Sequence, residues 1–121
     1  CLWFYCRYSR NNCEMIKVAV IGNTNCLCEN MTLVSKYDDY DILLVSYMPC
    51  TMLAKWTLGL DDDFAKAVLN NKPIYVLNSG LQYKKIKDKA VFQMYSVYRR
   101  TLQSFKIKFI ESVNNIRNDK I

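Results

Sequence analysis

Seven residues with chemically useful side chains fall in two short clusters. Ser46, Met48, Cys50, Thr51 and Met52 follow directly on the apolar run Ile42 to Val45, and Asn78 and Ser79 follow on the run Ile74 to Leu77. The hydroxyls of Ser46 and Thr51, with the free N–H groups of a helix start, suit a phosphate. Met48 and Met52 suit the wall of a flat apolar ring, and Asn78 and Ser79 add an amide and a hydroxyl. Cys50 offers a redox thiol, or simply a small residue for a tight turn. The chain contains no histidine. That removes the Ser/His/Asp triad and His-based metal sites, and no Walker-type phosphate loop is present.

The elements that must position these clusters can be read around them. The two apolar runs are strands, joined through the segment LAKWTLGLDDD and the turn Asn70-Asn71-Lys72-Pro73. Strand, loop, helix and strand make one βαβ unit. Ligands in open α/β sheets bind at the carboxyl ends of the strands, so a site is expected at Ser46 to Thr51 and Asn78 to Gly80. A helix is predicted from Thr51 as N-cap, with Met52, Leu53, Trp56 and Leu60 at helical spacing and Gly59 closing it. Asp61, Asp62 and Asp63 then open a second helix, where acidic side chains complement the dipole. Lys55 and Asp62 are expected to pair across this corner. Ile16 to Ile21 reads as a strand buried on both faces, ended by Gly22-Asn23-Thr24-Asn25. Residues 30 to 37 read as a connector with one or two helical turns.

From Tyr83 to Arg117 apolar residues recur every three or four positions without Pro or Gly. The pattern predicts one long amphipathic helix over 83–117, or two with a bend. At 1.5 Å per residue it would be about 50 Å long, which calls for a second subunit to cover its apolar stripe. The same segment carries the charge. From Leu81 onward ten Lys and Arg face three Asp and Glu, whereas residues 1–80 hold seven and eight, so the net charge of +6 is C-terminal. A solvated helix face explains these cations better than phosphate contacts to nucleic acid.

Length and composition set the frame. At 121 residues, 51% of them hydrophobic, the chain is a single small domain over 1–121. No apolar run reaches the ~18 residues of a membrane span. The six cysteines, at 1, 6, 13, 26, 28 and 50, include one close pair and lack the second pair or histidines of a structural zinc site. No metal is expected, and the thiols read as reduced residues of a cytoplasmic protein.

The stretch from Asp39 to Gly80 also resembles flavoproteins of the phosphopantothenoylcysteine decarboxylase type. The resemblance runs through Asp41, Ile42 to Val45, Leu53, Ala54, Lys55, Gly59, Leu60, Asp62, Lys72, Pro73 and Asn78, without a gap from Asp41 to Phe64. It covers about a third of the chain. Within that family the chain looks most like the small flavoprotein-like proteins of ethanolamine and propanediol utilisation. The resemblance implies FMN as cofactor, held by Ser46, Met48, Cys50, Thr51, Met52, Asn78 and Ser79. Thr51 stands where the family has a flavin-contacting Asn. The family's catalytic His has no counterpart, and no residue is assigned a catalytic role. Its first strand and phosphate loop find no match, and Ile16 to Ile21 corresponds best to its second strand. Together with the start at Cys1, this reads as an N-terminally truncated member.

The expected fold is therefore α/β, a three-layer Rossmann-like parallel sheet flanked by helices, with a long C-terminal amphipathic helix. The expected function is FMN binding at the strand-end loops of a homo-oligomer, with redox or decarboxylase-like chemistry supplied by the flavin. The alternative is a cofactor-free interaction or assembly protein that keeps the fold.

Overall fold

A computed structural model of the chain describes residues 15–105 and 107–116, apart from the side chain of Cys26. The expectations for Cys1, Cys6 and Cys13, and for a helix end near the N-terminus, lie outside the described residues. Within them run β1 (Ile16–Ile21), β2 (Met31–Val34), β3 (Ile42–Val45), α1 (Cys50–Thr57), α2 (Asp62–Leu69), β4 (Ile74–Leu77), α3 (Lys89–Ser104) and β5 (Lys108–Ile110). The strands form one parallel sheet in the order β2-β1-β3-β4-β5. This is the expected α/β sheet flanked by helices.

The apolar runs form strands because both of their faces are covered. All four residues of β3 and all four of β4 are buried. Successive side chains alternate between faces, so Leu43, Val45, Ile74 and Val76 point to one layer and Ile42, Leu44, Tyr75 and Leu77 to the other. The first layer receives Leu53 and Trp56 of α1, Phe64 and Ala67 of α2, and Leu102 of α3. Trp56 and Phe64 stack at 5.1 Å, locking α1 to α2. The second layer packs against Leu27, Cys28, Val113 and Ile116.

The helix ends follow local chemistry. α1 closes in a Schellman motif, with Leu60 N–H donating to Lys55 O and Gly59 N–H to Trp56 O. α2 closes the same way, with Asn71 in the left-handed position at φ 55°. Asp61 caps α2, accepting from Phe64 N–H at 3.1 Å, and the acidic triplet opens the helix as expected. Three details differ from expectation. Pro49, not Thr51, is the N-cap of α1; its extended ψ ends the loop two residues earlier and leaves Thr51 inside the first turn. Among the described residues Lys55 and Asp62 form no ion pair; the pairs are Lys36–Asp63 at 2.9 Å and Lys72–Asp39 at 3.5 Å. Residues 31–34 are a strand, not a helical connector, because they find a parallel partner in β1.

The largest correction concerns residues 83–117. They hold part of a 3₁₀ turn (Gln82–Lys85), then α3, then β5. Asp88 starts the helix, accepting from Ala90 N–H and Val91 N–H at 2.9 and 3.1 Å. At the other end the Ser104 hydroxyl donates to Thr101 O at 2.6 Å. Beyond it, Lys108, Phe109 and Ile110 pair with Tyr75, Val76 and Leu77. Helical spacing and strand alternation coincide over so short an apolar run, and the open edge of β4 decides for the strand. At 16 residues α3 is about 24 Å long, which suits this domain, so its length no longer calls for a second subunit.

Candidate functional site

Strand order selects the end of the sheet that matters. The chain steps from β1 outward to β2, then back across β1 to β3 and on to β4 and β5. The direction of winding therefore reverses between β1 and β3. In doubly wound sheets of this order the crevice at that reversal, at the carboxyl ends of the strands, is the usual ligand site. Three loops meet there: Gly22 to Asn25 after β1, Ser46 to Pro49 after β3, and Asn78 to Gly80 after β4.

These loops are held together closely. Ser46 N–H donates to Ile21 O at 2.9 Å, and its hydroxyl donates to Asn23 O at 2.8 Å. A Cβ on Gly22, whose φ is 111°, would lie 2.7 Å from Ser46 Oγ and 2.8 Å from Tyr47 N. On the other side Met48 N–H donates to Gly80 O at 2.9 Å and Gln82 N–H to Met48 O at 3.2 Å. A Cβ on Gly80 would lie 2.1 Å from Ser46 O. Both glycines exist because backbone passes where a side chain would stand.

Ser46, Cys50, Thr51 and Met52 do come together at the end of β3 and the start of α1. Thr51 is exposed, and Ser46, Cys50 and Met52 are half-buried. Pro49 provides no side-chain cap, so the N–H groups of Cys50, Thr51 and Met52, the first three of α1, lack intrahelical acceptors. Met48 is the exception. It is 1% exposed and belongs to the core, so the apolar wall expected of it is not available at the surface. Its neighbour Tyr47 is 47% exposed.

Asn78 and Ser79 lie at the end of β4. Ser79 is exposed. The Asn78 side chain is committed: its Oδ1 accepts from Arg99 Nη2 at 3.1 Å and its Nδ2 donates to Glu111 Oε1 at 3.1 Å. Arg99 reaches this point from α3, with its guanidinium over the Phe109 ring at 4.9 Å. No family model matches the chain. No curated protein and no solved structure is significantly similar to it. The arrangement must therefore be judged on its own geometry.

Two clefts of small-molecule size lie away from the β1–β3 reversal. One, of about 560 Å³, follows β5 and is lined by Gln103, Ile107, Lys108, Phe109, Ile110, Glu111 and Asn115. The other, of about 520 Å³, sits at the amino ends of β4 and β5 between Val68, Pro73, Tyr75 and Phe105. No cluster of metal-ligating side chains occurs among the described residues. No helix among them is long and apolar enough to cross a membrane.

Sequence reasoning missed Gly22, Asn23, Tyr47, Arg99 and Glu111. Gly22 and Asn23 were legible as turn residues, but only the central position of β1 brings them to Ser46. Tyr47 and Met48 are adjacent, and nothing local shows that Met48 is the one buried in the core. Arg99 looked like one cation among many on a helix face. No local signal tied it to Asn78, 21 residues away.

Proposed function

We propose that the chain is a flavoprotein-like domain that binds FMN at the strand-end loops. The observation that carries this reading is the strand order β2-β1-β3-β4-β5, with the uncapped start of α1 at the reversal between β1 and β3. A phosphate suits that helix start: three N–H groups lack intrahelical acceptors, the exposed Thr51 hydroxyl is beside them, and the dipole favours an anion. The flat ring suits Tyr47 and Met52, with Ser79 as a hydroxyl contact. Ser46 has a supporting role, tying the loop after β1 to the loop after β3. Cys50, at the first position of α1, is the thiol nearest this site among the described residues. When bound, the flavin would supply redox or decarboxylase-like chemistry. The chain's own residues bind and orient it. The likeness to flavoproteins of ethanolamine utilisation, a cytoplasmic setting and a homo-oligomeric state belong to this proposal.

The test is a titration of the purified protein with FMN and with riboflavin, followed by flavin fluorescence. Saturable FMN binding, weaker for riboflavin and weakened by Thr51→Val, supports the reading. Equal, unsaturable signals for both flavins oppose it.

A second reading has its own observation. Val91, Met94 and Val97 on α3 are large, exposed and uncharged, and the loops at the β1–β3 reversal are closely bonded to one another. Both suit a cofactor-free interaction or assembly protein, associating with a second copy through α3. Met94→Lys would then lower the sedimenting mass. A mass unchanged by that substitution removes this reading.

A further inference from the structure

Charge and exposed apolar surface are distributed unevenly over the helices. α3 presents Val91, Met94 and Val97 to solvent, at 38%, 42% and 50% exposure. They are spaced three apart, so they are neighbours along one row of the helix surface. Arg100, the next position of that row, is exposed, and so are Lys84, Lys85, Lys87 and Lys89 at its amino end. None of these cations forms an ion pair among the described residues. The one acid between Leu81 and Phe105 is Asp88, and its carboxylate caps the helix. α3 therefore carries an apolar ridge bracketed by uncompensated positive charge.

α2 carries the complement. Phe64 and Ala67 face the core, and the helical period gathers Asp62, Ala65, Val68 and Leu69 on the opposite side, where all four are exposed. Leu69 is 81% exposed. Asp62 starts this face with a carboxylate that no cation pairs among the described residues. The turn after β2 adds a second. Lys36 Nζ donates to Asp63 at 2.9 Å and Lys66 Nζ donates to Lys36 O at 2.6 Å, which holds the turn against α2. Asp38 of that turn, exposed and likewise unpaired, shares a recess with Lys66 and Asn70 of the helix.

We propose that α3 of one copy docks on α2 of another, with Met94 and Val97 against Val68 and Leu69 and the cations of α3 facing Asp38 and Asp62. The partner is a second copy because both halves of the match, one apolar face bracketed by cations and one edged by carboxylates, are on this chain. Apolar contact supplies affinity, and charge complementarity sets orientation. Packing α3 on α3 would instead set the lysines of two copies against each other. The contact is heterologous: each copy offers α3 to one neighbour and α2 to the next, so copies add head to tail. It rests on the association through α3 proposed above, and adds the surface that α3 meets.

The test is sedimentation of the full chain. Met94→Asp spoils the α3 face and Leu69→Lys the α2 face; both positions are exposed, and circular dichroism checks that the variants fold. Should Leu69→Lys not fold, Asp62→Lys on the same face takes its place. The wild type should sediment above the monomer mass and each variant alone as a monomer. An equal mixture of the two variants should form a dimer with one copy of each, because the intact α3 of the Leu69→Lys protein can still dock on the intact α2 of the Met94→Asp protein. Raising salt from 0.1 M to 1 M cuts the Debye length from about 10 Å to about 3 Å and should weaken the wild-type association. A Leu69→Lys protein that keeps the wild-type mass would overturn docking on α2 and leave association through α3 standing. A mixture that stays monomeric would also overturn it, and a monomeric wild type would overturn both.

Discussion

Gly80→Ala offers a direct way to test how the site is built. A Cβ at this position would stand 2.1 Å from Ser46 O and 2.7 Å from Ser46 C. Both are rigid backbone atoms, so the loops after β3 and β4 must separate. Two hydrogen bonds span that gap, Met48 N–H to Gly80 O and Gln82 N–H to Met48 O. Each is worth about 0.5–1.5 kcal/mol net, so their loss destabilises the fold by roughly 2 kcal/mol. For a domain of this size that lowers Tm by roughly 6–12 °C. Gly59→Ala is the control. It has open space around it and φ 74°, so it costs about 1–2 kcal/mol through backbone conformation alone. Urea denaturation with hydrogen exchange separates the two. Gly80→Ala should lower protection at the Met48 and Gln82 amides, and Gly59→Ala should leave them protected. A Gly80→Ala protein with wild-type stability and unchanged exchange there would refute the close packing of these loops.

Three further outcomes follow from the packing and the charges. Leu53→Ala, at a position buried in the helix-side core, should cost about 2–5 kcal/mol in a denaturant titration; a cost under half of that range would mean α1 is not anchored as described. Asp88→Ala removes the acceptor for two N–H groups at the start of α3 and should cost about 1 kcal/mol, with increased exchange at Ala90 and Val91. Stability should also fall in alkali. Lys36 has its pKa raised above 10.5 by a hydrogen bond and attraction from Asp63, and Tyr40 has its pKa raised above 10.0 by burial, then by Asp63. Both hold their protons more tightly when folded, so this contribution is intact below about pH 10 and is lost as pH rises through the folded values. Asp63→Asn should make the alkaline decline shallower, and an equally steep decline in that variant would contradict the assignment.

The central βαβ unit was legible because its signals are local and agree with one another. Ile42 to Val45 and Ile74 to Leu77 are short continuous apolar runs, Asn71 and Gly59 mark helix ends, and Asp61 caps α2. β2 was not legible: Met31 to Val34 is four residues long with two exposed side chains, and only pairing with β1 makes it a strand. The segment after Ser104 misled for a related reason. Phe105, Phe109, Val113 and Ile116 continue a helical spacing, and the vacant edge of β4 outweighs it. At the candidate site, Ser46, Cys50, Thr51 and Met52 cluster as their spacing implies, since one loop carries them all. Met48 does not, because the bridge to Leu81 turns it into the core. The partners that cross the sheet, Asn23 with Ser46 and Arg99 with Asn78, depend on strand order, which no single segment encodes.

The measurement closest to the central claim is the visible absorbance spectrum of the purified protein, before and after incubation with FMN and removal of the unbound excess. The account predicts that the flavin band is retained with the protein, that riboflavin is retained less, and that Thr51→Val lowers retention of FMN. A folded protein that keeps neither flavin would contradict it.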